Sequence, residues 1–293
     1  MLRFTIYTFL FKPINEPYQK DAFLPFVDAE ESMKNKLQIF DKLFLPDSTF
    51  VFKSKSQQYK HMIVAKSNGI IILKIANNTH PEREQNFNRW KEEDHPSLYV
   101  LIDNREDGKQ VIAIENRIQA FVETRTVANI MEESFNRYLY HKRLEVSINA
   151  KYHTHEFWNV VKEYEQGIAS VKFSFPYPNL PEISDIVGDF YTDLAKRTNS
   201  EPTTTLRATK HEKLVLEEND LVLISMIKAG SASGKLIMVR PKGALKWRKI
   251  GLETVAQEEL SEKVLARIEQ PEIIANRWNV LLEFMDRIKV VYY

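Results

Sequence analysis

The sequence predicts an α+β fold with mixed, mainly antiparallel sheets, helices packed on one side of them, and two helices at the C-terminus. Three observations lead to this prediction. Short apolar runs separated by turn residues fill the first 121 residues. Helical and strand periods alternate from residue 124 onward. Apolar residues with helical spacing lie near the C-terminus.

Residues 1–121 are predicted to form a strand-rich N-terminal region. Strand patterns occupy 2–11, 50–53, 59–65, 70–75, 98–103 and 110–115, and a helical pattern occupies 28–40. The tripeptide Ser67-Asn68-Gly69 predicts a tight hairpin turn, because Asn and Gly accept a positive φ. Residues 98–115 predict a second hairpin with a polar turn.

Residues 122–293 are predicted to form an α/β region that ends in a helical pair. One helical face carries Val127, Ile130, Met131, Phe135 and Leu139. Further strands and helices are expected at 144–152, 154–166, 170–175 and 184–197. A single domain is the alternative, because 293 residues with 43% hydrophobic content can bury one large core.

The last predicted helix carries apolar residues in a 4,3,4,3 spacing. These residues are Ile274, Trp278, Leu281, Met285 and Ile288. The spacing is that of a two-heptad seam, which in a short helix usually docks on the sheet of its own chain. The alternative is that this helix forms a homo-oligomer or binds a protein partner.

Composition excludes several classes of site. The chain has no Cys, which excludes disulfides, thiolate nucleophiles, iron–sulfur clusters and zinc sites built on Cys. Its net charge of +1 gives no global attraction to nucleic acid or to an anionic membrane, so any basic surface must be local. No apolar run approaches the roughly 18 residues of a membrane span, and no leader pattern is found. We therefore expect a cytoplasmic protein without a membrane partner.

A basic stretch at 228–251 is the strongest candidate for a binding surface. It contains seven Lys or Arg and no acid. One interpretation is a β-hairpin that contacts nucleic-acid phosphates and stacks an indole on a base, through Lys235, Arg240, Lys242, Lys246, Trp247, Arg248 and Lys249. The other is a hairpin whose charged face is merely solvated, with the indole packed inward. The segment at 230–235 is one residue short of a Walker loop, and Leu236 replaces the hydroxyl that binds magnesium.

A second candidate is a metal-dependent nuclease site on the hairpin at 98–115. Asp103 and Glu115 would hold Mg²⁺, which is the only cofactor that any of these interpretations requires. Arg117 stands where such enzymes commonly carry Lys, and Arg cannot accept a proton. The alternative is structural, with Asp103 opening a turn and Glu115 ending a strand.

Two histidines at a strand-to-helix junction are a weaker candidate. His153 and His155 have the spacing of a zinc-binding pair, but the sequence identifies no third ligand. Thr154 and Glu156 at the same place are typical of a helix N-terminus. The sequence therefore assigns no complete set of metal ligands, and these are unknown.

Several segments between residues 95 and 182 resemble a group of bacterial proteins. They are HPSLYVLIDNR, VIAIENRIQAF, VANIMEESFN, HEFWNVV and VKFSFPYPNLP. Together they are similar to uncharacterised proteins of antiphage-defence islands and mobile elements. The resemblance implies an intracellular bacterial protein whose target or partner is phage or host nucleic acid. It carries over no functional residue.

Three functions follow from these features. The favoured one is a nucleic-acid-binding component of a bacterial defence system that uses the basic hairpin, since it needs no missing catalytic residue. The second is the nuclease with Asp103 and Glu115. The third is a protein–protein adaptor or assembly subunit that uses the C-terminal helix.

Overall fold

The computed structural model describes residues 1–14, 27–106, 110–175, 194–195, 197–198, 200–233, 236–250, 255–268 and 274–290. Within them the α+β class, the antiparallel sheets and the two C-terminal helices are confirmed. The helix expected at 184–197 lies mostly outside the described residues. No helix in these ranges is both long enough and apolar enough to cross a membrane.

The elements follow the predicted order closely. The strands are β1 (Leu2–Pro13), β2 (Phe52–Ser54), β3 (Gln57–Tyr59), β4 (His61–Ser67), β5 (Ile70–Ala76), β6 (Glu82–Gln85), β7 (Asn88–Lys91), β8 (Ser97–Asp103), β9 (Val111–Glu115), β10 (Leu144–Ala150), β11 (Ile168–Ser174), β12 (Thr203–Arg207), β13 (Met238–Pro241), β14 (Arg248–Lys249) and β15 (Gln257–Leu260). The α-helices are α1 (Ala29–Lys34), α2 (Lys36–Asp41), α3 (Thr124–Leu139), α4 (His155–Glu163), α5 (Leu221–Ser233), α6 (Glu262–Ile268) and α7 (Ile274–Val290). Short 3₁₀ helices follow α2 and α3, at Lys42–Phe44 and Tyr140–Lys142.

The large sheet is built around β1. Its strand order is β10-β1-β9-β8-β5-β4, and β15 also pairs with β1. The first part of β1 pairs with β15, from Leu2 opposite Leu260 to Thr5 opposite Gln257. Its later part pairs with β10, from residue 7 onward. Strands from both sides of position 121/122 therefore share one sheet.

Helices cover both faces of the large sheet, which corrects the expectation of helices on one side. Successive residues of a strand point to opposite faces. Phe9 of β1 and Ile71 of β5 pack with α3, whereas Phe4 and Ile72 pack with α6 and α7. The reason is the unbroken apolar run at 70–73, because a strand that is apolar on both faces needs a cover on both.

The apolar stripe of α7 faces this sheet. Trp278, Leu281, Met285 and Ile288 are buried in the core that contains Phe4. The rings of Phe4 and Phe284 also meet edge to face, with centroids 5.8 Å apart. The seam thus docks on the sheet of its own chain, and these four side chains are not available to a partner.

A smaller sheet of order β12-β11-β13-β14 packs against α4 and α5. Residues 228–233, the first part of the basic stretch, belong to α5 rather than to a strand. The apolar run that precedes them continues into this helix, where Ile227 and Ala229 are buried. The strand pattern of the basic stretch therefore starts only at Met238.

Candidate nucleic-acid interface

The predicted basic hairpin is present but short. Met238 pairs with Lys249 and Val239 with Arg248 in antiparallel register. Beyond the strands, the Ile250 N–H donates to the Ile237 carbonyl oxygen at 2.8 Å. Gly243 turns the connecting loop with a φ of +80°, a conformation that glycine adopts without strain. The hairpin presents residues 242–247 as a loop that is largely exposed.

Arg248 holds the hairpin against α4. Its Nη1 donates to both carboxylate oxygens of Glu163 at 2.8 Å and to the Tyr164 hydroxyl at 3.0 Å. The Glu163 carboxylate, helped by the Tyr164 hydroxyl, raises the pKa of Arg248 further above its ordinary value. A guanidinium that is neutralised in this way is a poor phosphate contact. Arg248 is therefore an anchor of the hairpin.

Arg240 and Trp247 pack on each other. The guanidinium carbon of Arg240 lies 5.5 Å from the centroid of the Trp247 ring, within cation–π range. Arg240 Nη2 also donates to Ser170 Oγ at 3.1 Å. Both side chains are half-buried. Trp247 thus matches neither interpretation fully. One face of its indole is covered by Arg240, so the ring is neither wholly packed inward nor wholly free to stack on a base.

The remaining predicted lysines differ in how they are engaged. Lys242 Nζ donates to the His211 carbonyl oxygen at 2.8 Å. Lys246 and Lys249 are exposed, and no ion pair to either is found within the described residues. Leu245, beside Lys246, is 96% exposed. Lys235 lies outside the described residues. Lys242 keeps its positive charge, because a carbonyl oxygen does not neutralise an ammonium, but that ammonium is held by the His211 carbonyl. Lys246 and Lys249 are thus the exposed hairpin cations best placed to reach a ligand.

Lys249 lines a cleft of about 900 Å³ between the two sheets. Arg125, at the start of α3, lines the same cleft together with Tyr7 of β1 and Asn149 of β10. Sequence reasoning missed Arg125, because it lies 124 positions before Lys249 (249 − 125) and only the folded sheets bring the two together. The one feature of the sequence that could have indicated Arg125 is its position in the first turn of a strongly predicted helix.

Asp103 is buried in a charged network. Its Oδ2 lies 2.6 Å from Arg105 Nη2 and 2.8 Å from Lys289 Nζ of α7. Arg105 Nη2 also pairs with Asp286 Oδ1 at 2.5 Å. Asp103 has no exposed surface, and Lys289 is nearly as buried. The carboxylate is thus fully used in joining the β8–β9 hairpin to the C-terminal helix.

Glu115 lies at the other end of the same hairpin. Its Oε2 accepts the Tyr99 N–H at 2.8 Å, whereas Asp103 is opposite Val111, four residues before Glu115. Four residues of a strand span about 13 Å, which is far beyond the reach of one metal ion. Arg117 is also engaged, since its Nη1 donates to the Ser97 carbonyl oxygen at 2.6 Å. The structure therefore does not bring Asp103 and Glu115 together around one Mg²⁺.

The two histidines near α4 likewise form an incomplete set. The rings of His153 and His155 lie 5.1 Å apart, and His155 Nε2 is 3.0 Å from Glu156 Oε1. Helix α4 begins at His155 with Glu156 in its first turn, as the alternative interpretation expected, but the Thr154 side chain makes no capping hydrogen bond. Across the described ranges, no three His, Asp or Glu side chains are grouped closely enough to hold a metal ion.

Burial raises the pKa of the Glu115 carboxyl, which predicts a pH-dependent effect on stability. The folded state disfavours the ionised carboxylate, so this cost is absent below the ordinary Glu pKa and appears as pH rises through the raised value. Glu115→Gln is expected to increase the free energy of unfolding at pH 8, on the order of 1 kcal/mol, and to have little effect at pH 4. Urea denaturation at both pH values measures the difference. The exposed Glu259→Gln serves as control, and an equal gain in that variant would contradict the prediction.

Comparison with known proteins finds no matching family model and no matching curated protein.

Proposed function

We propose that the protein binds nucleic acid and that the β13–β14 hairpin contacts the phosphates. The observation that supports this most is the exposure of Lys246 and Lys249 without a carboxylate partner in the described ranges. The contacts of Arg248 with Glu163 hold the same hairpin in place. Because the backbone of the hairpin is held, only the lysine side chains lose conformational freedom when they contact phosphates. The resemblance to defence-island proteins adds the proposal that the bound nucleic acid is phage or host nucleic acid.

The number of free cations limits the expected electrostatics. Lys246 and Lys249 are exposed on the hairpin, Lys242 is held by a backbone carbonyl, and Arg125 lines the same cleft as Lys249. Each phosphate contact contributes about −0.7 to −0.9 to the slope of log affinity against log salt. Three such contacts give a slope of about −2 to −3. The proposed interaction is therefore a local one that needs low or moderate salt.

The test is fluorescence anisotropy with labelled single-stranded DNA, duplex DNA and RNA over a salt series. The double variant Lys246→Ala/Lys249→Ala is expected to weaken binding and to make the salt slope less steep by about 1.5 to 2. The control Lys34→Ala/Lys91→Ala removes the same charge from exposed positions on α1 and β7. It is expected to leave the slope unchanged.

Two results would contradict the proposal. One is an equal loss of affinity in the control, because net charge rather than the hairpin would then drive binding. The other is the absence of binding to every nucleic acid at low salt. In that case the exposed lysines are solvated, and pull-down with the wild-type protein would test the adaptor alternative.

A further inference from the structure

We infer that the cleft between the two sheets binds a nucleotide, either free or as one unit of a bound strand. This inference rests on the proposed function and names the subsite that recognises one nucleotide. The cleft has a volume of about 900 Å³, at the upper end of the roughly 300–1,000 Å³ of small-molecule sites. It joins the large sheet to the basic hairpin, because Thr5 and Tyr7 of β1 and Lys249 of β14 all line it.

The charged end of the cleft suits a phosphate. Arg125 lines it from the start of α3 and Lys249 lines it from β14, so the cleft offers an anion two cations from different elements. Arg125 Nη1 donates to the Ile148 carbonyl oxygen at 3.0 Å, which orients the guanidinium and leaves its other N–H groups to donate. Glu123 also lines the cleft and offsets one of the two positive charges. The lining thus favours a ligand with a small net negative charge, such as a phosphate monoester or diester.

The start of α3 adds to the attraction for an anion. Thr124 begins this helix of 16 residues, and its first turn contains no acidic residue, although Glu123 occupies the N-cap position. The N-terminus of a helix carries a partial positive charge that favours anions. The Thr124 hydroxyl lies 2.9 Å from the Tyr7 hydroxyl, so one hydroxyl hydrogen of this pair remains for a ligand.

The amide-bearing part of the cleft suits a nucleobase. Asn149 Nδ2 donates to Ser147 Oγ at 3.1 Å, which leaves the second amide hydrogen of Asn149 to donate and its carbonyl oxygen to accept. A donor and an acceptor on one amide match the edge of a heterocyclic base. Asn116 also lines the cleft, but it lies beside Arg3 whereas Asn149 is opposite Thr8, so one base does not contact both amides. Apolar side chains complete the lining, at Val122, Leu236 and Val255.

The test measures binding of the four ribonucleoside 5′-monophosphates by calorimetry, with the matching nucleosides and inorganic phosphate as comparisons. The monophosphates are expected to bind more tightly than either comparison, because each of those lacks one half of the ligand. Arg125→Gln is expected to reduce affinity for the monophosphate about 10- to 100-fold, the usual effect of losing a charged hydrogen bond. The same variant is expected to weaken binding of labelled oligonucleotides.

Arg137→Gln is the matched control, since it makes the same change on the exposed side of α3, away from the cleft. Thermal unfolding of both variants reports whether either one fails to fold. If Arg125→Gln is unstable, Asn149→Leu replaces it, because this change removes the proposed base contact and leaves the two cations. Asn149→Leu is expected to weaken monophosphate binding about 10-fold.

The outcomes separate the two proposals. Monophosphate binding that depends on Arg125 supports the cleft as the nucleotide site. Oligonucleotide binding that is unaffected by Arg125→Gln and by competing monophosphates overturns this inference but leaves the hairpin proposal. Monophosphate binding without oligonucleotide binding keeps the cleft and overturns the proposed function. No binding of either ligand overturns both.

Discussion

Asp103→Asn is expected to lower the free energy of unfolding by about 3–5 kcal/mol. The variant keeps the shape of the side chain but removes the charge that faces Lys289 at 2.8 Å and Arg105 at 2.6 Å. Lys289 is buried, so water cannot replace the lost carboxylate. The loss is expected to loosen α7 as well, because Lys289 belongs to that helix.

Urea denaturation at pH 7 measures this effect, and Asp286→Asn is its control. Asp286 pairs with the same Arg105 guanidinium, but its side chain is 59% exposed. An exposed ion pair contributes about 0–1 kcal/mol, so the control should differ little from the wild type. Asp103→Asn/Lys289→Met is expected to recover part of the loss by removing the buried ammonium as well. Equal effects of Asp103→Asn and Asp286→Asn would show that burial does not set the size of this interaction.

Phe40→Ala is expected to destabilise the protein by about 3–5 kcal/mol. Phe40 of α2 has no exposed surface and lies at the centre of a cluster of aromatic rings. Its ring centroid is 4.8 Å from that of Phe135 and 5.1 Å from that of Phe9. The substitution leaves a cavity between α2, α3 and β1, and it removes several aromatic pairs at once.

Thermal or chemical unfolding measures the loss, and Phe87→Ala is its control. Phe87 is 94% exposed on the β6–β7 turn, so the same truncation there is expected to change stability by less than about 0.5 kcal/mol. If Phe40→Ala does not fold, Phe40→Leu provides a milder variant with an expected loss of about 1–2 kcal/mol. A loss below 1 kcal/mol in Phe40→Ala would contradict the central position of this ring.

Much of the fold was predictable because local patterns decide local structure. The turn at Asn68-Gly69 and the helical face from Val127 to Leu139 appear where their patterns placed them. We predicted that helices cover one face of the sheet, whereas they cover both. The apolar run at 70–73 is typical of a strand that is covered on both faces. Periodicity identifies a buried strand face but does not identify the helix that covers it. The placement of α6 and α7 opposite α3 depends on the tertiary fold.

The candidate site was predictable only in part. A hairpin was expected within the basic stretch, and β13 and β14 form it. The partner of Arg248 is Glu163, 85 positions earlier, and no local pattern connects the two. The same holds for Asp103 and Lys289, which are brought together by α7 docking on the sheet. Sequence thus located the charged residues, whereas their availability to a ligand depends on distant partners.

The position of β1 in the sheet affects how this protein must fold during synthesis. The first residues of β1, Leu2 to Thr5, pair with Gln257–Leu260 of β15, so their backbone hydrogen bonds form only after nearly the whole chain has been synthesised. Pairings so distant in sequence close slowly, because a long loop must be ordered first. Until then β1 exposes apolar side chains on both faces, a condition that favours aggregation. Efficient synthesis therefore depends on protection of the nascent N-terminal strand by chaperones or by its early pairing with β9 and β10.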